Sequence, residues 1–232
     1  MNLSISECVL TDNIIELRKA ILKDCAEPKD LINAVKRKNK EIVKILVENT
    51  GSFPKMYKYC DDIFILAIET LDIEIIEMIG EEYPSFDDYV CKAAFKTNNL
   101  EIVKKVFSLY DDKEEMLEGL KDEGINLFYN VIKYSNDVDI LKEVIKLNII
   151  DPNISDLDTA VEENKIEFVK ELLLFLNKKD EMIRIKKDYY KHYGLSQQEL
   201  IKHYEKSAKE IIKKANEIGN KEIISLLSSN IL

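Results

Sequence analysis

The chain has little of the residue types that build chemical sites. Its 232 residues include no tryptophan, two histidines, four cysteines, six glycines and four prolines. Six glycines leave no glycine-rich phosphate loop, and neither G-x-x-x-x-G-K-[ST] nor G-x-G-x-x-G nor H-E-x-x-H occurs. No serine or cysteine stands in a nucleophile motif. The sequence therefore predicts no catalytic residue, no cofactor, no metal site and no enzyme activity.

The cysteines are too few and too far apart for a metal centre. Cys8, Cys25, Cys60 and Cys91 form no C-x-x-C pair, and their spacing matches no zinc pattern. Cys8 and Cys91 fall at repeat positions that we expect to be buried. We therefore interpret the cysteines as reduced core thiols of a cytosolic protein.

Long apolar runs are also missing. The longest covers residues 63–68, far below the roughly 20 residues that span a bilayer. The first residues contain no basic region followed by an apolar stretch, so we expect no secretory signal and a cytoplasmic location. Apolar residues make up 46% and charged residues 34% of the chain, which favours a folded protein over a disordered one.

What the chain does have is a short sequence motif that recurs. It appears as NKEIVKIL at residues 39–46, as NLEIVKKV at 99–106 and as KIEFVKEL at 165–172. Weaker copies occur at 72–77, 137–142 and 220–225. Self-similarity at such a spacing is typical of stacked repeat proteins, which present long surfaces to partners.

A small or apolar residue precedes the recurring motif at a fixed distance, and we call this residue the anchor. The position three residues before each anchor is apolar or aromatic, Tyr129 included, and marks the buried face of a first helix. Positions 9 and 12 residues after each anchor are apolar and mark one stripe of a second helix. The anchors are Cys8, Ala34, Ala67, Ala94, Ile132, Ala160 and Ala215.

The residues between the two helices predict a tight turn. Asn98, Asn136 and Asn164 lie four residues after their anchors, and each is followed three residues later by an acid. This pattern resembles a capping box, in which the Asn side chain accepts a hydrogen bond from a free N–H of the second helix. Gly219 occupies the same position near the end of the chain, and Asn tolerates the left-handed backbone that glycine adopts there.

Together, the alanine anchors, the Gly or Asn turn and the E-[IV]-[VI]-K-x-[LV] second helix resemble the ankyrin repeat. The resemblance covers roughly residues 1–176 and 206–232. It departs from the family pattern because no window carries T-P-L-H and the anchor spacings vary from 26 to 55 residues. The resemblance implies a degenerate ankyrin array with shortened fingers, of the kind common in large DNA viruses. A HEAT-like array of helix pairs is the alternative.

The expected fold is thus an all-α solenoid of about seven helix-turn-helix repeats. We expect about six ankyrin-like repeats in residues 1–176, a basic, tyrosine-containing helical insertion at 177–205 and a last, capping repeat at 206–232. A short acidic helix is expected at 111–120. Residues 177–214 carry a net charge of +5, whereas the whole chain carries −10.

Two segments are candidate partner-binding sites. In ankyrin proteins the fingers and first helices line the binding side, and tyrosines are common at interface hot spots. A basic, aromatic segment is also the type that contacts nucleic acid, although the net charge of −10 opposes binding to a polyanion. The candidate residues are Phe53, Tyr57 and Tyr59 in the longest finger, and Lys186, Lys187, Tyr189 and Tyr190 in the insertion.

The function predicted from these patterns is a protein–protein interaction module. Lysine is abundant and arginine occurs three times, a bias typical of AT-rich coding sequences such as those of several large DNA viruses, some intracellular bacteria and some protists. If the source is a virus or parasite, the hypothesis is a host-directed or defence-modulating adaptor acting in the host cytoplasm. The alternatives are a HEAT-like scaffold and a nucleic-acid-associated protein that uses residues 178–191.

Overall fold

The computed structural model describes residues 3–50, 59–83, 87–110, 126–176 and 197–230. These residues form α-helices joined by short turns, and they contain no β-strand. The all-helical class predicted from the sequence is therefore confirmed. The helices are α1 Ile5–Leu10, α2 Ile14–Ile21, α3 Pro28–Lys36, α4 Lys40–Thr50, α5 Cys60–Glu69, α6 Ile73–Glu82, α7 Asp88–Lys96, α8 Leu100–Ser108, α9 Leu127–Tyr134, α10 Val138–Leu147, α11 Ile154–Glu162, α12 Ile166–Leu176, α13 Gln197–Ile218 and α14 Lys221–Asn230.

Consecutive helices pair into hairpins, which we number 1 (α1 and α2) to 7 (α13 and α14). In every hairpin the two helices pack against each other. All seven anchors are fully buried, as predicted from their spacing. The predicted second-helix stripe is mostly buried, for example at Val43 and Leu46 of α4, whereas Ala20 of α2 and Ile224 of α14 are half-buried. Because an alanine anchor has so small a side chain, the two helices of a hairpin can approach closely.

The chain divides into two compact units, residues 1–125 and 126–232. In the first unit the first helices pack in the order α1, α3, α5, α7, and the second helices in the order α2, α4, α6, α8. In the second unit the corresponding rows are α9, α11, α13 and α10, α12, α14. Each unit is therefore a stack of helical hairpins in two layers, with the apolar stripes of neighbouring hairpins buried between the layers.

A left-handed residue makes the turn in six of the seven hairpins. In hairpins 1, 2 and 6 the anchor carbonyl accepts a hydrogen bond from the backbone N–H five residues later, as from Asn39 to Ala34 (3.3 Å) and from Lys165 to Ala160 (3.0 Å). Such bonds satisfy carbonyls that the end of a helix leaves free. The left-handed residues, with φ between 49° and 78°, are Asp12, Lys38, Leu71, Asn98, Asn164 and Gly219.

The predicted capping boxes are wrong by one residue. Asn98 and Asn164 adopt the left-handed conformation, and the second helices begin two residues later, at Leu100 and Ile166. In hairpin 4 the N-cap is Asn99, whose Oδ1 accepts hydrogen bonds from the backbone N–H groups of Glu101 (3.0 Å) and Ile102 (3.3 Å). A cap of this kind contributes about 1 kcal/mol to the stability of the helix.

In hairpin 5 the buried positions of the first helix are shifted by one residue from those predicted. Tyr129 is exposed, which contradicts its predicted place on the buried face, while Phe128 is buried. Val131 therefore occupies the place that the anchor has in other hairpins, and the turn after α9 is one residue longer. Asn136 does not cap α10, because Asp137 is its N-cap and accepts a hydrogen bond from Asp139 N (2.9 Å).

Polar side chains link neighbouring hairpins along the row of turns. The guanidinium of Arg37 pairs with the carboxylate of Asp12 in the preceding hairpin. Lys165 Nζ donates to the carbonyl oxygens of Ile132 and Ser135, each 2.5 Å away, and burial lowers the pKa of this lysine. Backbone carbonyls at the turn of one hairpin are thus satisfied by a cation of the next.

The cysteines only partly follow the prediction. Cys8, Cys60 and Cys91 are buried thiols, as expected of core positions, and burial raises the pKa of Cys91. Cys25 is free but exposed, so it is not a core thiol. It lies in the connection between α2 and α3, outside the apolar stripes.

Of the two irregular segments predicted from the sequence, the first cannot be compared with the structure and the insertion at 177–205 only in part. The acidic segment 111–120 and residues 177–196 lie outside the described residues. Helix α13 runs from Gln197 to Ile218, so the predicted boundary between 205 and 206 falls inside a helix.

Candidate interaction surface

Of the seven predicted binding residues, the structure describes Tyr59. Phe53, Tyr57, Lys186, Lys187, Tyr189 and Tyr190 lie outside the described residues, and their roles stay predictions. Tyr59 occupies the N-cap position of α5, immediately before the buried Cys60, and 37% of its surface is exposed. The predicted finger residue therefore borders the row of first helices.

A second exposed tyrosine lies on the neighbouring first helix, α7, which packs against α5. Tyr89 is the second residue of α7 and is 69% exposed. Lys92 Nζ lies 5.7 Å from the centroid of its ring, within the range of a cation–π contact, and also pairs with Asp88. The Tyr89 ring thus has a cation beside it, while most of its surface is exposed.

Four aspartates surround the N-terminal ends of these two helices. Asp61 and Asp62 are exposed in the first turn of α5, while Asp87 caps α7 by accepting a hydrogen bond from Val90 N (2.7 Å). Burial raises the pKa of Asp87, and the negative charges of Asp61 and Asp88 raise it further. Asp61 and Asp87, which are far apart in sequence, therefore act on each other through space. Each carboxylate is also favoured by the positive end of its helix dipole.

We call this cluster the tyrosine–aspartate patch and define it as Tyr59, Asp61, Asp62, Asp87, Asp88 and Tyr89. It combines two amphipathic rings with a local excess of negative charge, a combination suited to a protein surface that carries Lys or Arg. Among the described residues, no group of three or more His, Cys, Asp and Glu is arranged to hold a metal ion.

Sequence reasoning overlooked Tyr89, although a signal for it was present. The buried residues of α7 are Val90, Cys91, Ala94 and Phe95, a helical stripe with period 3.6. Tyr89 falls outside that stripe, so the same periodicity that located the core also predicts an exposed tyrosine. The meeting of the two helix ends could not be predicted in this way, because it depends on how hairpins 3 and 4 stack.

A second surface feature is a groove of about 560 Å³ between α4 and α6. Val47, Met78, two lysines and six glutamates line it. Several of these charges already have partners within the fold, such as Lys40 Nζ with Glu74 Oε1 (3.1 Å) and Glu77 Oε1 with Lys105 Nζ (2.6 Å). The groove is therefore less suited than the patch to attract a charged partner.

Comparison with known proteins gives no family assignment. The chain matches no protein-family model, no curated protein and no solved structure. None of the helices in the described residues is long and apolar enough to cross a membrane.

Proposed function

We propose that this protein is an interaction module made of degenerate ankyrin repeats, which binds a partner protein through its fingers and first helices. The observation that carries the proposal is the tyrosine–aspartate patch, in which Tyr59 and Tyr89 stand exposed among four aspartates on adjacent first helices. An exposed aromatic ring leaves apolar surface in contact with water. A partner that covers the ring removes this surface from water, which favours binding.

The geometry of the hairpins supports the ankyrin-like part of the proposal. Five hairpins have a buried alanine anchor and six have a left-handed turn residue, which agrees with the features on which the resemblance is based. The left-handed turn favours this interpretation over the HEAT-like alternative, since the resemblance to ankyrin repeats includes a Gly or Asn at that position.

The charge of the patch indicates the kind of partner. The patch contains four carboxylates, of which Asp88 is paired with Lys92. A partner surface with exposed Lys or Arg would gain both ion pairs and cation–π contacts on the two rings. The proposed host-directed or defence-modulating role is an extension of this binding function and depends on the origin of the chain.

The test compares partner capture by three forms of the full chain. Affinity purification from the native cell, followed by mass spectrometry, should identify a partner retained by the wild type. The double variant Tyr59→Ala/Tyr89→Ala should weaken retention by at least about tenfold, since a hot-spot residue contributes about 2 kcal/mol. The circular dichroism spectrum of the double variant should remain that of a helical protein.

The matched control is Tyr129→Ala, which removes an exposed tyrosine from a first helix of the second unit. It should retain the partner as the wild type does. If the double variant captures the same partner undiminished, the patch is not the binding site. If both variants lose the partner equally, the loss does not depend on the patch.

A further inference from the structure

The solvent-facing side of three first helices carries a row of apolar residues. The buried residues of α5 are Cys60, Ile63, Phe64, Ala67 and Ile68. The side chains one and two places before the anchor therefore project from the opposite face of the helix. At one or both of these positions, hairpins 2, 3 and 4 have apolar side chains that are half-buried, so part of each still meets water. These residues, which we call the apolar strip, are Ile32, Ile65, Leu66 and Ala93.

The same two positions are polar in the last two hairpins of the second unit. Hairpin 6 has Asp158 and Thr159 there, and hairpin 7 has Lys213 and Lys214. Lys214 Nζ lies 2.6 Å from Asp158 Oδ2, so this face is closed by an ion pair between neighbouring hairpins. Stacking of the hairpins therefore does not require apolar residues at these positions. Partly exposed apolar residues that stacking does not require are typical of a binding surface.

The apolar strip is continuous with the tyrosine–aspartate patch. Asp62 precedes Ile65 by three residues and Tyr89 precedes Ala93 by four, so each pair shares one face of its helix. Helices α3, α5 and α7 pack side by side in this order. The strip thus crosses three helices, and the four carboxylates of the patch border it at the N-terminal ends of α5 and α7.

The spacing of the strip fits an α-helix laid across it. Packed helices lie about 8–10 Å apart, so equivalent side chains of α3, α5 and α7 recur at about that distance. In an α-helix, residues seven places apart lie on one face and are separated by about 10.5 Å. In an extended strand, the side chains of one face recur at about 6.6 and 13 Å, which fits less well. A helix with an apolar residue at every seventh position can therefore place one such residue over each first helix.

We propose that the apolar strip binds an amphipathic helix of the partner protein, with Lys or Arg along the edge that lies over the tyrosine–aspartate patch. Contact between the partner's apolar residues and the strip removes both surfaces from water. The carboxylates of the patch pair with the cations of that edge, and the ring of Tyr89 accepts a cation–π contact. This inference rests on the proposed function, because it names the structural class of the partner.

A synthetic peptide of about 18 residues, long enough for five helical turns, tests the proposal. The probe has leucine at every seventh position, lysine along one edge of the leucine stripe, and alanine and glutamine elsewhere. Fluorescence anisotropy should show binding to the full chain with a Kd of about 100 μM or tighter, since three leucine side chains leave water. A peptide of the same composition with its leucines distributed around the helix should bind at least about tenfold more weakly. Equal binding by the two peptides, or no binding by the probe, overturns the proposal.

Substitutions in the strip locate the probe on the protein. Leu66→Gln should weaken its binding by about tenfold, because glutamine suits a helix but removes apolar surface from the centre of the strip. Ala93→Gln, at the same repeat position of hairpin 4, should also weaken it. Thr159→Gln is the matched control, since Thr159 has that position in hairpin 6 and is half-buried as well. It should bind the probe as the wild type does, and circular dichroism should show that all three variants fold.

Two further peptides test the charged edge and the helical conformation. Replacement of the lysines by glutamate should weaken binding at least about tenfold, because the patch then repels the peptide. Replacement of a central alanine by proline, which breaks a helix, should do the same. Undiminished binding of either peptide, or of the probe to both Leu66→Gln and Ala93→Gln, overturns the proposal.

The native partner separates this inference from the proposed function. The partner captured by the wild type should be lost by Leu66→Gln and by Tyr59→Ala/Tyr89→Ala. If Leu66→Gln and Ala93→Gln retain the partner while the tyrosine variant loses it, the proposed function stands and the inference about the strip is overturned. If all of these variants retain the partner, both are overturned.

Discussion

At the scale of single residues, two buried carboxyl groups tie neighbouring hairpins together. Asp30 and Asp156 are the third residues of α3 and α11, and each accepts a hydrogen bond from the backbone N–H of its own N-cap residue, at 2.9 and 2.7 Å. Each also binds a side chain of the preceding hairpin, Ser6 Oγ to Asp30 (2.5 Å) and Asn126 to Asp156. The buried oxygen atoms are thereby satisfied, as their removal from water requires.

Asp156 should make stability depend on pH. Burial raises the pKa of Asp156 from an ordinary value of 3.8 to about 6. The folded chain therefore binds this proton more tightly than the unfolded chain does. This contribution to the free energy of unfolding is complete below the unfolded pKa and is lost as pH rises through about 6. The loss amounts to about 3 kcal/mol. Asp156→Asn should remove that dependence, which urea unfolding at pH 4 and pH 7.5 would measure.

Asp139→Asn provides a control of opposite sign. Lys142 lowers the pKa of the exposed Asp139, so this carboxylate stabilises the fold above its unfolded pKa and stops doing so as pH falls. The Asp139 variant should keep the decline of stability between pH 4 and pH 6. If Asp156→Asn retains the full decline, another group is responsible for it.

At the scale of elements, the turn between helices is fixed by one backbone conformation. Side chains as different as those of Asp12, Lys38, Leu71 and Asn98 occupy the left-handed position. For a residue other than glycine this conformation costs roughly 1–2 kcal/mol, and somewhat less for Asn. The hairpin therefore imposes the turn even on residues that disfavour it.

Leu71 is the residue least suited to this conformation, which leads to a stabilising substitution. Its φ is 61° and its side chain is 57% exposed, so little buried apolar contact would be lost. Leu71→Asn should raise the free energy of unfolding by about 0.5–1 kcal/mol. Thermal unfolding followed by circular dichroism would detect the rise in Tm.

Leu174→Asn makes the same chemical change at an exposed site inside a helix, α12. There, Asn has a lower helix propensity than Leu, so the variant should be a few tenths of a kcal/mol less stable than the wild type. Stabilisation of both variants would mean that removal of exposed leucine, and not relief of the turn, is the cause.

The sequence predicted the helical hairpins well because their signal is local. Buried anchors and apolar stripes repeat with the helical period, and the alanine anchors are fully buried. The capping register was wrong because Asn98 and Asn99 are adjacent and Asn suits both the left-handed position and the N-cap. The extra residue in the turn of hairpin 5 left no local signal, since Val131 and Ile132 are both apolar and adjacent.

The interaction surface was less predictable. Tyr59 was expected at a finger, and it does border the first helices. Tyr89 follows from the period of α7, although sequence reasoning overlooked it. The proximity of Asp61 to Asp87 was beyond prediction, because it depends on contacts between two hairpins and not on either segment alone.

At the scale of the whole molecule, stability within each unit should be distributed according to the number of neighbours. Hairpin 3 packs against hairpins on both sides, whereas hairpin 1 packs against hairpin 2 alone among the described hairpins. In stacked repeats each hairpin gains stability from every interface it makes. Opening of hairpin 1 should therefore require less free energy than opening of hairpin 3.

Hydrogen exchange measures this difference directly. Amides in the middle of α5 and α6 should exchange on the order of 100-fold more slowly than those of α2, which corresponds to about 3 kcal/mol. Equal protection of α2 and α5 would indicate that the first unit opens in one cooperative step.

The single left-handed residue of each turn has a consequence for the divergence of such chains. Six hairpins fill that position with five residue types, so the fold accepts side chains of very different kinds there. Substitutions at the turn can accumulate as small losses, each compensated by a change elsewhere in the hairpin. Sequence similarity between related chains would then be lost first at the turns, while the helices still stack.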